Sequence, residues 1–125
     1  GGMSIEEIYS MFPNLAERRK SQGTRLSGGE QQMLAMARIL RTGANLLLLD
    51  EITEGLAPVI VDKLGEVLTQ LKARGYTIVL VEQNFRFAAP LADRHFIMDH
   101  GHIVETVLKD ELESKQSVFE EYLSV

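Results

Sequence analysis

Ser27-Gly28-Gly29-Glu30, and Asp50-Glu51 at the end of the run Leu46-Leu47-Leu48-Leu49, are the residues of this 125-residue chain best suited to chemistry. The first group puts a hydroxyl and two glycines where a helix begins, so bare backbone N–H groups at the positive end of a helix dipole can face an anion. The second delivers two adjacent carboxylates to the end of an aliphatic strand, where one can hold Mg²⁺ and the other can orient water. An anion cup and a magnesium site together describe phosphate chemistry. What is missing is a Gly-x-x-x-x-Gly-Lys-Ser/Thr loop to hold the phosphates. Gly23 and Gly28 have the right spacing, but Gly29 stands where the lysine belongs. These residues describe part of a nucleotide-hydrolysing site.

The elements that must position them are legible from periodicity. Ser27 with Glu30 forms a capping box, Met33, Leu34, Ala37 and Leu40 keep helical spacing as far as Arg41, and Gly43 ends the helix. Upstream, Ser4-Ile5-Glu6-Glu7 caps another helix with Ile5, Ile8 and Met11 on one face and Pro13 as its stop. A short basic helix over residues 14–20 and a loop over residues 21–25 follow. Residues 46–49 and 77–81 are uninterrupted aliphatic runs, the pattern of strands covered on both faces in a parallel sheet. Pro58, the apolar positions Val61, Leu64, Val67, Leu68 and Leu71, and Gly75 place a helix between them. Strand, helix and strand make a right-handed βαβ unit, so the class is α/β. Residues 95–99 and 102–106 flank His100-Gly101 as a hairpin or a strand and its return. Beyond Asp110 the composition is helical and charged, with Ser117 and Glu120 as a last capping box.

Bulk properties narrow the field. A hydrophobic content of 45% in 125 residues supports one core of useful size. The net charge of −5 argues against a nucleic-acid surface, which needs a basic excess. Without cysteine there is no disulfide framework and no thiolate metal site, which suits a reducing compartment. No apolar run reaches the roughly 18 residues that span a bilayer, and no signal peptide is expected. Gly1-Gly2-Met3 looks like a remnant ahead of an internal start.

The order Leu26-Ser27-Gly28-Gly29-Glu30-Gln31-Gln32, then Leu46 through Glu51, then Glu54-Gly55-Leu56-Ala57-Pro58, then Val81-Glu82-Gln83-Asn84 resembles the C-terminal half of an ABC transporter ATPase. Within that superfamily it is most similar to the LivF-type ATP-binding subunit of branched-chain amino acid importers, over residues 5–106. On average composition, Leu-Ser-Gly-Gly-Glu arises by accident in a chain this long with a probability on the order of a few in ten thousand. The resemblance implies a partial P-loop NTPase domain with a mainly parallel sheet, lacking the phosphate-loop (Walker A) half. It implies three parts: residues 1–25 as the end of a helical subdomain and a linker, residues 26–106 as the signature helix, Walker B and switch-strand part, and residues 107–125 as a helical tail.

By the same resemblance, Ser27, Gly28, Gly29 and Glu30 form the signature loop, which contacts ATP held by the opposite subunit of a head-to-tail dimer. A cap needs Ser27 and Glu30 but gains nothing from two glycines in the first turn, which favours an anion cup over a plain capped helix. Asp50 matches the Walker B aspartate, a Mg²⁺ ligand through water, and Glu51 matches the catalytic glutamate that polarises the attacking water. Residues 54–57 stand where the family's D-loop crosses the dimer interface. Gln83 replaces the family's switch histidine; it can donate an amide hydrogen bond but cannot carry a proton. Ile52 replaces a common proline, which loosens the turn after the strand.

The partners implied are a second ATP-binding subunit, identical or not, membrane permease subunits and, indirectly, an external solute-binding protein. Nucleic acid is not among them. The cofactors implied are ATP and Mg²⁺, and the place is the cytoplasm, peripheral on the inner face of the membrane. Without the phosphate loop the chain alone is expected to be inactive. The family's phosphate-loop strand lies between the strands matching residues 77–81 and 95–99, so those two must pair directly or borrow a strand from a second copy.

Other readings carry less weight. The signature and Walker B lobe of an SMC-like chromosome-maintenance ATPase requires a long heptad pattern ahead of it, and Pro13 breaks residues 3–22 into two short helices. A non-enzymatic interaction domain has no use for Glu51. His95, His100 and His102 around a turn lack an acidic partner in register and suit turn and edge positions better than a metal site. Phe85, Phe87 and Phe96 suit a core rather than a base-stacking platform. The charged C-terminal helix suits a solvated cover.

Overall fold

Two compact units, Gly1–Val81 and Glu82–Val125, divide the chain in a computed structural model that describes residues 1–124. The strand and helix alternation gives the α/β class that the sequence pattern requires.

In the first unit, Ser4 caps α1 (Ile5–Met11): its Oγ accepts from the Glu7 N–H at 3.1 Å, while Glu7 Oε1 accepts from the Ser4 N–H at 3.3 Å. Pro13 does more than stop this helix. It opens α2 (Pro13–Glu17), where its missing N–H costs nothing. That helix ends three residues short of the expected span, because past Leu15 and Ala16 the sequence has only charged and polar side chains and nothing to bury. The basic stretch Arg18 to Lys20 is a turn, and a 3₁₀ turn, Gly23–Arg25, occupies the expected loop. Met3 is buried and its N–H donates to the Leu40 carbonyl at 3.1 Å, so the opening residues are tied to the fold.

α3 (Gly28–Arg41) buries Gly29, Met33, Met36, Ala37 and Leu40, a stripe at helical spacing, with Met36 taking the place expected of Leu34. Gly43, at φ +87°, ends it as a left-handed residue should. β1 (Leu46–Asp50) and β2 (Thr77–Val81) pair in parallel, Leu46 opposite Thr77 through Asp50 opposite Val81. Their crossover is α4 (Pro58–Ala73), which buries Leu64, Val67, Leu68 and Leu71. A 2.7 Å ion pair from Arg74, at its end, to Glu7 of α1 holds the Glu7 carboxyl below its ordinary pKa.

Continuous aliphatic runs predict strands covered on both faces, and here the structure differs. Leu47 and Leu49 are buried, while Leu46, Leu48, Val79 and Val81 are exposed. Strand side chains alternate with a period of two, so these residues share one open apolar face. β2 does not pair with the next strand either; each belongs to its own two-stranded sheet.

The second unit begins with α5 (Phe85–Ala88), capped by Asn84, whose Oδ1 accepts from the Phe87 N–H at 3.2 Å. β3 (Arg94–Asp99) and β4 (His102–Leu108) form the antiparallel hairpin. Its two turn residues, His100 at φ +49° and Gly101 at φ +78°, both lie in the left-handed region that a tight hairpin requires. After a 3₁₀ turn, Lys109–Glu111, comes α6 (Gln116–Leu123). The expected Ser117–Glu120 capping box does not form. Lys115, held at 3.3 Å by Glu105 and 3.4 Å by Glu111, starts the helix early enough to place Ser117 inside its first turn.

Ile97, Val107 and Phe119 make the core of this unit, with Phe85, Leu112, Val118 and Leu123 packed against them. The charged terminal helix thus contributes a fully buried aromatic as well as a solvated face. Phe87 is buried and Phe85 half-buried, but Phe96 is exposed, because period two turns it away from the side where Ile97 is buried. Among the described residues, no helix is long and apolar enough to cross a membrane.

Candidate functional site

Ser27 and Glu30 exchange hydrogen bonds at the start of α3, Oγ accepting from the Glu30 N–H at 3.2 Å and Oε1 accepting from the Ser27 N–H at 3.1 Å. Leu26 anchors the entry: its side chain is buried and its carbonyl accepts from Gln31 Nε2 at 3.1 Å. The carboxylate of Glu30 is therefore committed to bracing the turn. The Ser27 hydroxyl uses a lone pair in this cap and keeps its own proton to donate. With the N–H of the exposed Gly28, among the first donors of the helix, it offers donors to an anion, while Gly29 is buried against α4.

The two glycines differ in kind. Gly28 is exposed, and a Cβ there would stand 3.4 Å from Leu56 Cδ2, an ordinary contact. Gly29 is buried, and a Cβ there would run into Ile60 Cγ2. The sequence argument that a plain cap gains nothing from the glycines needs correcting at this position. Gly29 is demanded by the approach of α4, whatever the turn binds.

Asp50 closes β1 with its side chain exposed, in register with Val81. Glu51 follows at φ +53°, its N–H donating to the Val81 carbonyl at 2.8 Å. A glutamate in the left-handed region costs on the order of 1 kcal/mol or more and persists only where its surroundings impose it. They do so here, because the next two residues, Ile52 and Thr53, are buried. The absent proline thus does not loosen the turn, since the buried Ile52 side chain anchors it instead. Gly55 at φ +75° and a 3.2 Å bond from the Leu56 N–H to the Thr53 carbonyl then turn the chain into α4.

Asp50 offers hard oxygen ligands at an open strand end, which fits one coordination position of Mg²⁺. No cluster of three or more acidic, histidine or cysteine side chains surrounds it among the described residues. A magnesium ion there would complete its shell with water and phosphate oxygens, as this small cation commonly does.

Gln83 is exposed, two residues past β2, and belongs to the second unit, whereas the signature turn and the acidic pair belong to the first. His100 and His102 lie on the hairpin surface, His100 Nδ1 standing 3.0 Å from Asp99 Oδ2. His95 joins an aromatic cluster with Phe85 and Phe119. Sequence reasoning missed Leu56 and Ile60 as supports of the glycine turn. The only signal was the closeness of the 54–57 segment to an apolar helix face, and nothing in the sequence says which glycine that face meets.

Residues 4–54 match the family model described as ABC transporter. Over 102 residues the chain is 44% identical to the high-affinity branched-chain amino acid transport ATP-binding protein BraG of Pseudomonas aeruginosa, covering 82% of this chain and 44% of that protein. It is 41% identical over 91 residues to the arginine transport ATP-binding protein ArtM of Bacillus subtilis, covering 73% of this chain and 38% of that one. A solved ATP-binding cassette of an ABC transporter superposes with a TM-score of 0.81 at 21% identity, covering 97% of this chain and 49% of the other. The chain thus spans less than half the length of these relatives.

Proposed function

From the premise that the chain belongs to the ABC transporter ATP-binding family, we propose that it is the signature, Walker B and switch-strand part of the ATP-hydrolysing subunit of an amino acid importer. Branched-chain amino acids are the proposed cargo. Residues 1–25 end a helical subdomain, residues 26–106 carry the site, and residues 107–125 form the tail. The partners are a second ATP-binding subunit, membrane permease subunits and, through them, an external solute-binding protein. The place of action is the cytoplasmic face of the membrane.

One observation carries this reading: the braced turn at Ser27 leaves its hydroxyl and the exposed Gly28 at a helix start, in the same unit that presents Asp50 and Glu51 at a strand end. In the mechanism, that turn donates to the γ-phosphate of ATP held by the opposite subunit. Asp50 would help hold Mg²⁺, which when bound would supply charge neutralisation for the phosphates. Glu51 orients the attacking water. Gln83, at the switch position, would offer its amide as a donor to phosphate. The phosphate-loop lysine is not in this chain, so the chain alone is expected not to bind MgATP tightly. No observation favours the SMC-like alternative; α1 and α2, with 7 and 5 residues, offer no coiled coil.

The test is reconstitution of the longer protein with its permease in vesicles, reading ATP hydrolysis with leucine, arginine or no amino acid supplied through the binding protein. Hydrolysis stimulated by leucine is the expected result. Stimulation by arginine alone would overturn the cargo assignment, and absence of ATP turnover would overturn the function.

A further inference from the structure

Gly28 and Gly29 rest on two residues that bracket the start of α4, Gly28 over Leu56 and Gly29 over Ile60. The second contact is the tighter. A Cβ on Gly29 would meet Ile60 Cγ2 head-on and stand 3.4 Å from Ile60 Cβ and Cγ1, so the glycine backbone sits directly on the branched end of this side chain. Ile60 is a stiff support. A β-branched residue in a helix holds essentially one χ1 rotamer, and its N–H is tied to the Ala57 carbonyl at 3.0 Å in a first turn whose φ is set by Pro58.

We propose that Ile60 is a positioning residue: its Cγ2 methyl sets where the Gly28 and Gly29 N–H groups stand, and couples the anion turn to the 54–57 loop as one rigid piece. The proposal rests on the functional reading above. A phosphate-facing donor displaced by a fraction of an ångström loses much of its effect on the reaction, whereas the nucleotide itself is held chiefly elsewhere. Shape, and not bulk, is what Ile60 supplies.

Three substitutions separate the two. Ile60→Val keeps Cγ2, Ile60→Leu keeps the volume but removes the β-branch, and Ile60→Ala removes both. In the longer protein, Ile60→Leu and Ile60→Ala should lower kcat about tenfold with KM for ATP within twofold, while Ile60→Val retains most of the activity. Amide ¹⁵N spectra of the present chain provide a readout independent of turnover. The Gly28 and Gly29 signals should move with Leu and Ala and stay near the parent with Val. If the parent hydrolyses no ATP, the functional reading fails and the spectra alone decide the positioning claim. If Leu behaves like Val in the spectra, or turns over within twofold of the parent, Ile60 is only a packing residue and the proposal is wrong.

Discussion

The His95 ring meets the Phe119 ring edge-on, centroids 5.6 Å apart and planes at 86°, within the second unit. Phe85 closes the group at 6.1 Å from His95 and 4.3 Å from Phe119. The Nε2 of His95 is buried and has no hydrogen-bond partner among the described residues. Burial in this apolar setting disfavours the imidazolium and lowers the pKa below the ordinary 6.5. In the unfolded chain His95 takes up its proton near 6.5, so between that value and the lower folded one the unfolded state binds more protons.

The contribution of His95 to the stability of the second unit is therefore complete above pH 6.5 and declines as pH falls below it. Glu7 and Glu111, whose pKa values are lowered from 4.5, lose their contributions only in more acid solution. A melting midpoint that falls between pH 7.5 and pH 5, with the fall abolished in His95→Phe, is the expected result. Equal pH dependence in the variant would count against it.

Glu51→Gln in the longer protein should keep ATP binding and remove most hydrolysis, trapping the dimer closed. Glutamine preserves the shape and the left-handed backbone but not the carboxylate proposed to orient water. Turnover within about threefold of the parent would show that Glu51 is not the catalytic base.

Ser27 serves the cap and the proposed anion contact at once, and two substitutions divide these roles. Ser27→Ala should cost about 1 kcal/mol of stability, since the Glu30 N–H loses its acceptor. Ser27→Asp should retain the cap, aspartate being an equally good acceptor, yet abolish ATP turnover by placing a negative charge where the phosphate must come. Chemical denaturation of the chain, alongside ATPase assays of the longer protein, would show the split. A Ser27→Asp enzyme with parental turnover would remove the turn from the site.

Leu48 and Val79 lie opposite each other on the open face of the parallel pair, 71% and 50% exposed. An apolar strand face beside an unpaired edge invites association. At tens of micromolar the chain should sediment above its monomer mass, and Leu48→Lys should shift it toward monomer without lowering its melting temperature. A parent that sediments as a monomer would contradict this.

Local chemistry was legible in the sequence. The capping boxes at Ser4 and Ser27, the Pro58 start and Gly75 stop of α4, the extent of β2 and the His100-Gly101 turn depend on residues within a few positions of one another, and the structure forms them as read. The types and spacing of Ser27, Gly28, Asp50 and Glu51 likewise point to phosphate chemistry from the sequence alone.

Tertiary structure decided what depends on neighbours distant in sequence. Whether Leu48 is covered depends on what packs on its face, and four consecutive leucines look alike whether one face is filled or two. Why Gly29 must be glycine depends on Ile60, thirty-one positions away, and on a helix approach that no local pattern encodes. His95 reads as an edge histidine until Phe85 and Phe119 close around it. Ser117 lost its cap because Lys115, gripped by Glu105 and Glu111, began the helix first. The sequence by itself determined which groups could act, because donors, carboxylates and caps are properties of residues; only the folded chain determined where they stand and which are buried, because close packing is a property of pairs brought together across the chain.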